Sequence, residues 1–350
     1  MLIFFILLLL LPCLAIKKRT DSDAPILDSR STTCIKGVLC LFVMFHNLGL
    51  DYKGNTPIME LICEHAGGVG VGLFFFLSAF GIVRSYQKNG NKYLLKLIFV
   101  HTIKLYVISV VINLLIYFTF FKGALTTQDM WLKILNLDVF NNFNRMNRHG
   151  WYISTIIAMY LIFALIYFLC SKLKTNNKFI IAGIILSLIA VGFRVTAWIA
   201  DKGGMYTREL PTFAIGVMYA TFYDEFNKFF NKYFTLTFIL CFIGFWIGFF
   251  TLEIIATYCS ALLIIILSQK ITYESKVTYF LGKICLGVYL FLYFSTLVLQ
   301  PYLTNPYWWM LLNAGFILEL SVALYGVQIL ISKGITLVKS QAKKKTKLLK

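Results

Sequence analysis

From residue 34 onward the chain is a succession of apolar runs separated by short polar links. They cover, approximately, residues 34 to 50, 67 to 84, 95 to 121, 151 to 170, 178 to 200, 210 to 223, 233 to 252, 254 to 268, 278 to 300 and 307 to 332. At 1.5 Å per helical residue, most can cross the ~30 Å hydrocarbon core of a bilayer. In lipid an unpaired backbone amide costs several kcal/mol, so each run must close its own hydrogen bonds as a helix. The expected fold is therefore an all-α membrane protein, a polytopic bundle of about ten transmembrane helices. A mean hydropathy of +0.78 with 59% hydrophobic and 14% charged residues excludes an ordinary soluble domain.

An eleventh apolar run, "MLIFFILLLLLPCLAI", opens the chain. Lys17, Lys18 and Arg19 follow it, whereas a cleaved signal carries its cations in front. It reads as an extra N-terminal segment. Residues 1–33 thus comprise this segment and a basic stretch, 34–332 a single membrane domain, and 333–350 a basic tail ending "KSQAKKKTKLLK".

The formal charge of +18 would suit nucleic acid if the cations lined one face, but they fall in the links between apolar runs. They act as topology signals, and no nucleic-acid partner is expected. With residues before 34 placed in the cytoplasm, the cytoplasmic links carry Arg84, Lys88, Lys92, Lys172, Lys174 and Lys178, and the opposite links are poorer in cations. The link 122–150 departs from that alternation, holding Lys122, Lys133, Arg145 and Arg148 against Asp129 and Asp138. This orientation puts the C terminus in the cytoplasm of a multi-pass cell membrane protein, and the Lys, Asn and Ile content points to a bacterium. Eight cysteines form no C-x-x-C pair and mostly lie in apolar runs, where a thiol packs as a small hydrophobe.

Polar groups inside apolar runs are informative because each costs free energy to place there. His46 lies about twelve residues, roughly 18 Å, into the first run "CIKGVLCLFVMFHNLG". Its ordinary reading is a neutral imidazole bonded to a neighbouring helix; its functional reading is a base. The second run, "GGVGVGLFFFLSAFGIVRS", has Gly68, Gly70 and Gly72 two apart, then Phe74 to Phe76, Ser78 and a closing Arg84. Such glycines let another helix or an acyl chain approach the backbone closely.

Together these features resemble the acyltransferase 3 family of membrane O-acyltransferases, whose second-span pattern is close to GVdlFFvlSGFlI. The basic residue and glycine opening the first run, and the histidine near its end, match as well. So do "HGWYIS" at 149 to 154, "YTRELPTFAIGVMYA" at 206 to 220 and "LGKICLGVYLFLYF" at 281 to 294. The resemblance spans about 34 to 332. Three departures stand out: nine residues rather than ten separate Lys36 from His46, Tyr293 or Phe294 stands where the family has a late histidine, and Ala79 replaces a glycine.

The resemblance implies transfer of an acyl group, most often acetyl, from cytoplasmic acyl-CoA to a hydroxyl of an extracytoplasmic polysaccharide or lipid-linked sugar. Acyl-CoA is then a co-substrate, with no bound cofactor, and membrane lipids are the surroundings. A sugar hydroxyl is a weak nucleophile, and imidazole titrates near neutral pH, so His46 is the expected general base or acyl carrier. Arg84, Lys36 and Ser78 are the expected donor-binding residues, with Lys88, Lys92 and Lys96 near Arg84, although the positive-inside rule alone accounts for such lysines. His149, Trp151, Tyr152, Arg208 and Glu209 are the expected acceptor-binding residues, near Arg145 and Arg148, although Trp and Tyr also mark membrane interfaces. Arg194 must pair within the bundle. His65 and His101 read as link or interface residues.

No metal-ligand spacing and no phosphate-cradling glycine loop occurs, so no metal is assigned. The alternatives to an enzyme are a transporter or flippase of glycan precursors, and a structural or binding membrane protein.

Overall fold

The computed structural model describes residues 16–20, 25–51, 57–137, 150–199, 207–303 and 305–348. The apolar run at 1–15 and the link residues 138–149 and 201–206 lie outside these. A short strand β1 (Ile16–Lys18) precedes helices α1 (Ser29–Asp51) and α2 (Pro57–Asn89). Next come α3 (Asn91–Phe121), with π turns at Leu97–Thr102 and Tyr117–Phe121, and the short α4 (Thr127–Ile134). Then follow α5 (Gly150–Ser171), α6 (Lys178–Ile199), α7 (Leu210–Thr221), the amphipathic α8 (Tyr223–Lys232), α9 (Phe234–Thr251) and α10 (Glu253–Leu267). Strand β2 (Ile271–Tyr273), α11 (Lys276–Leu299) and α12 (Pro306–Leu348) complete the order.

Eight of these helices are long and apolar enough to cross a bilayer, while α7 and α10 are apolar but shorter. The chain is an all-α polytopic membrane protein, and the ten apolar runs each correspond to one of these helices. With 12 residues, α7 extends about 18 Å, and α10 with 15 about 22 Å, both short of a ~30 Å core. Each begins beside charged residues, Arg208 and Glu209 before α7 and Glu253 at the head of α10. Two helix N-termini are thereby recessed into the bundle with carboxylates at their positive ends, where the helix dipole favours them.

Helix α2 is the centre of the bundle. Of its membrane window 72% is buried, against 6% for α9, whose Leu236, Ile247 and Phe250 face outward as lipid-facing side chains do. The glycines of α2 set its neighbours: a methyl group at Gly70 would sit 2.8 Å from Val43 Cγ2 of α1, and one at Gly72 would strike Thr257 of α10. Thr212 of α7 donates its hydroxyl to Gly72 O at 2.8 Å. On the other side of α1, Gly37 meets Thr278 O and Gly282 meets Thr33 O, a reciprocal backbone contact that no side chain would allow.

One end of the bundle, here the basic end, carries the N-terminal segment, Arg84, Lys92, Lys96, α8 and both strands. β1 pairs antiparallel with β2, Lys17 opposite Thr272. Arg19 Nε donates to Ser268 O at 3.0 Å and Tyr223 Oη to Ile26 O at 2.8 Å, so the segment before α1 is strapped across this end. Asp28 caps α1, accepting from Ser31 N at 2.9 Å and Arg30 N at 3.2 Å. At the far end, Asn136 adopts a positive φ of 54°, which asparagine tolerates. It accepts from Asn113 Nδ2 at 3.0 Å and donates to Ser109 Oγ at 2.8 Å, which fixes the link after α4 onto α3.

Candidate active site

The recessed ends of α7 and α10 bring three charges together. Arg208 Nε lies 2.6 Å from Glu209 Oε1, and Arg208 Nη1 lies 2.9 Å from Glu253 Oε2. The Glu209 side chain is 2% exposed, that of Glu253 14% and that of Arg208 36%. A guanidinium held in this way by two carboxylates is not a free receptor for phosphate. Its remaining N–H groups and the carboxylate oxygens together suit hydroxyl groups, which both donate and accept. Glu209 Oε2 is buried and has no hydrogen-bond partner among the described residues.

Gly68 of α2 is what admits this cluster. A side chain there would overlap Glu253 Oε1 and come within 2.9 Å of Arg208 Nη2. Its neighbour Gly67 does the same for His46: a methyl group there would overlap Cγ, Cδ2 and Nε2 of the imidazole. Consecutive helix residues are 100° apart, so the imidazole and the Arg208–Glu253 pair sit on adjoining sides of one bare turn of α2. Two expected residues of different roles, His46 and Arg208, are thus assembled around the same backbone step.

At the basic end a cavity of about 760 Å³ opens between α1, α2, α3 and the strapped N-terminal segment. Lys36, Ser78 and Arg84, the three expected donor-binding residues, all line it, together with Lys92, Lys96 and His101. The π turn Leu97–Thr102 supplies Leu97 and His101 to its wall, a use of a π turn that is common at functional sites. Arg84 stacks its guanidinium 4.2 Å from the centre of the Tyr223 ring and donates from Nη1 to Gln87 Oε1 at 2.8 Å. Burial pushes the Tyr223 phenol up, outweighing the opposite pull of Arg84, so a neutral ring lies under the cation. Burial also raises the Asp28 carboxyl, but the bonds from Ser31 and Arg30 outweigh it and leave this group below its usual value.

Tyr152 turns inward from the start of α5. Its ring lies 5.0 Å from Phe75, which is on α2 between Gly68 and Ser78, and 5.1 Å from Tyr289. Tyr152 therefore stands between the far-end cluster and the cavity, and Trp151 packs beside it at 6.3 Å. His149, Arg145 and Arg148 lie outside the described residues, and so does the side chain of His65. Lys88 does not line the cavity, and Arg194 of α6 interacts electrostatically with Tyr258 of α10.

Glu253 and Tyr160 did not emerge from the sequence reading. The available signal for Glu253 was its position: it opens α10 directly after Leu252, the single residue linking α9 to α10, a turn too short to carry a carboxylate clear of the bundle. Among the described residues no group of three or more His, Cys, Asp or Glu is placed to hold a metal.

No curated protein and no solved structure matches the chain. The acyltransferase 3 family model, described as an acyltransferase domain, matches residues 30–331, a range that includes His46, both recessed helices and most of the residues lining the basic-end cavity. The chain belongs to the acyltransferase 3 family and is a multi-pass membrane acyltransferase.

Proposed function

We propose that the protein transfers an acetyl group from acetyl-CoA, bound in the basic-end cavity, to a hydroxyl of an extracytoplasmic polysaccharide or lipid-linked sugar at the His46–Arg208 cluster. In this reading the basic end faces the cytoplasm of a bacterial cell, in keeping with its cations, and the C terminus lies on that side. The observation that carries the reading is the placement of His46 and Arg208 around Gly67 and Gly68, with a cation-lined cavity toward the other end of the same two helices.

Arg84, Lys92 and Lys96 would meet the CoA phosphates, with the thioester directed inward past Lys36 and Ser78. Lys36 and His46 are ten positions apart on α1, about 15 Å along its axis, a gap that an extended donor arm must span. His46 accepts the proton of the acceptor hydroxyl as its oxygen attacks the thioester carbonyl. The tetrahedral intermediate expels the CoA sulfur as the C–S bond breaks, and the imidazolium returns its proton to that sulfur. An O-acetyl ester and CoA are the products. Such base assistance contributes about 10² to 10⁴ in rate. Arg208, Glu209 and Glu253 orient the sugar through its hydroxyls.

Mass spectrometry of cell-surface glycans tests this. Glycan from a strain lacking the protein should lose one acetyl mass per modified repeat, restored by the wild-type chain and not by His46→Ala. Identical glycan masses in the three strains would rule the reading out.

A further inference from the structure

Beside the Arg208 cluster lies a second concavity, of about 340 Å³, with no part in the chemistry above. Its walls are apolar side chains of α5 and of the link after α4, such as Ile153, Ile157 and Leu137, closed by Phe193 of α6 and Leu210 of α7. Leu137 is 58% exposed, Leu161 45% and Phe193 44%, so the groove opens sideways between helices whose outer surfaces are lipid-facing. Its polar side chains Asn136, Ser154 and Thr155 are already bonded within the protein. Thr207 differs: its hydroxyl is buried without a partner among the described residues, and it immediately precedes Arg208.

We propose that this groove holds the hydrocarbon chain of the acyl acceptor, so that the acceptor is a lipid-linked sugar and not a free polysaccharide. The inference rests on the acyl-transfer reading and narrows its acceptor class. Three observations select the occupant. Most of the wall residues belong to the membrane-spanning helices α3, α5 and α6, so the groove is filled from the bilayer, where the available matter is hydrocarbon. Two of its wall residues, Thr207 and Leu210, flank Arg208 and Glu209 in the chain, so a chain lying in it brings its polar head next to the cluster facing Gly68. The single open hydroxyl, on Thr207, stands where chain gives way to headgroup and can bond the linkage. Each methylene buried strengthens binding about fourfold, so a few suffice to set acceptor affinity.

Photocapture in native membranes tests the groove without reference to turnover. With p-benzoyl-phenylalanine in place of Phe193, illumination should yield an adduct whose mass includes a lipid chain and sugar. The same probe in place of Leu236, on the outward face of α9, should capture phospholipid. Phospholipid alone at both positions would overturn the proposal. A second arm fills the groove by Ala158→Trp and uses purified protein in lipid nanodiscs with radiolabelled acetyl-CoA. KM for a lipid-linked acceptor should rise about tenfold or more, the loss of some two buried methylenes, with KM for acetyl-CoA unchanged. An unchanged acceptor KM would also overturn the groove. The two readings fail separately: label reaching glycan with phospholipid alone at 193 removes the groove and keeps acyl transfer, whereas a sugar-lipid adduct at 193 with no transfer of label does the reverse.

Discussion

His46 and Arg208, held by different parts of the chain, meet the same bare turn of α2, the imidazole against Gly67 and the guanidinium against Gly68. Neither contact survives a side chain at those positions, so the glycines belong to the site as much as the charged groups do.

Substituting Gly67→Ala should therefore displace the imidazole by the space of a methyl group while α2 remains helical. Misplacing a reacting group by about 1 Å costs on the order of 10²-fold in rate. The measurement is acetyl transfer at saturating donor alongside thermal unfolding in detergent. A fall in kcat of about that size with a little-changed melting temperature is expected; full activity would show that the imidazole position is irrelevant.

Glu253 closes the Arg208 pair from α10. Removing Glu253 takes one of two carboxylates from Arg208 and leaves Glu209 at 2.6 Å, and with Arg208 36% exposed the loss should be about 1–3 kcal/mol. Glu253→Ala should destabilise by that amount in chemical denaturation. Arg208→Leu combined with Glu253→Leu should lose less than the sum of the single changes, because the partners share one interaction. Strict additivity would mean that the pair is not energetically coupled.

Tyr160 and Ser78 line the cavity together, where the thioester end of a donor would lie. Truncation by Tyr160→Ala enlarges that end. The ratio of kcat/KM for butyryl-CoA over acetyl-CoA should rise about tenfold or more, the usual scale for admitting extra methylenes to an apolar pocket. An unchanged ratio would place the acyl group elsewhere.

Asp28 both caps α1 and lines the mouth of the cavity. Its carboxyl lies below its usual value in the folded chain, so the stability it contributes is present above the unfolded value and is lost as pH falls through the lower, folded one. Asp28→Ala should cost about 1 kcal/mol near neutral pH and progressively less below about pH 4. Melting curves of both proteins across that range should converge in acid; parallel curves would dissociate the cap from its charge.

The bundle was legible because each span must bury its own backbone polar groups, which makes apolar run length a direct readout of helices. His46, Ser78 and Arg84 were legible for the complementary reason that polar groups in such runs need an explanation. Length alone did not reveal why α7 and α10 are short; the structure answers with Arg208, Glu209 and Glu253 at their heads. Pairing between distant helices carries no local signal, so the meeting of α2 glycines with both His46 and Glu253 could not be read from spacing. Lys36 shows the same limit. Ten positions from His46 on a helix put it about 80° around the axis, and only the packing of α1 against α2 shows that this direction faces the cavity.

Radiolabelled acetyl-CoA supplied to the protein in proteoliposomes containing membrane glycolipid extract tests the central assignment most directly. The wild-type chain should transfer label to a glycan as a base-labile ester, and His46→Ala, folded to the same melting temperature, should lower the rate by about 10² to 10⁴. Equal rates in the two proteins would contradict the assignment of His46 as the base.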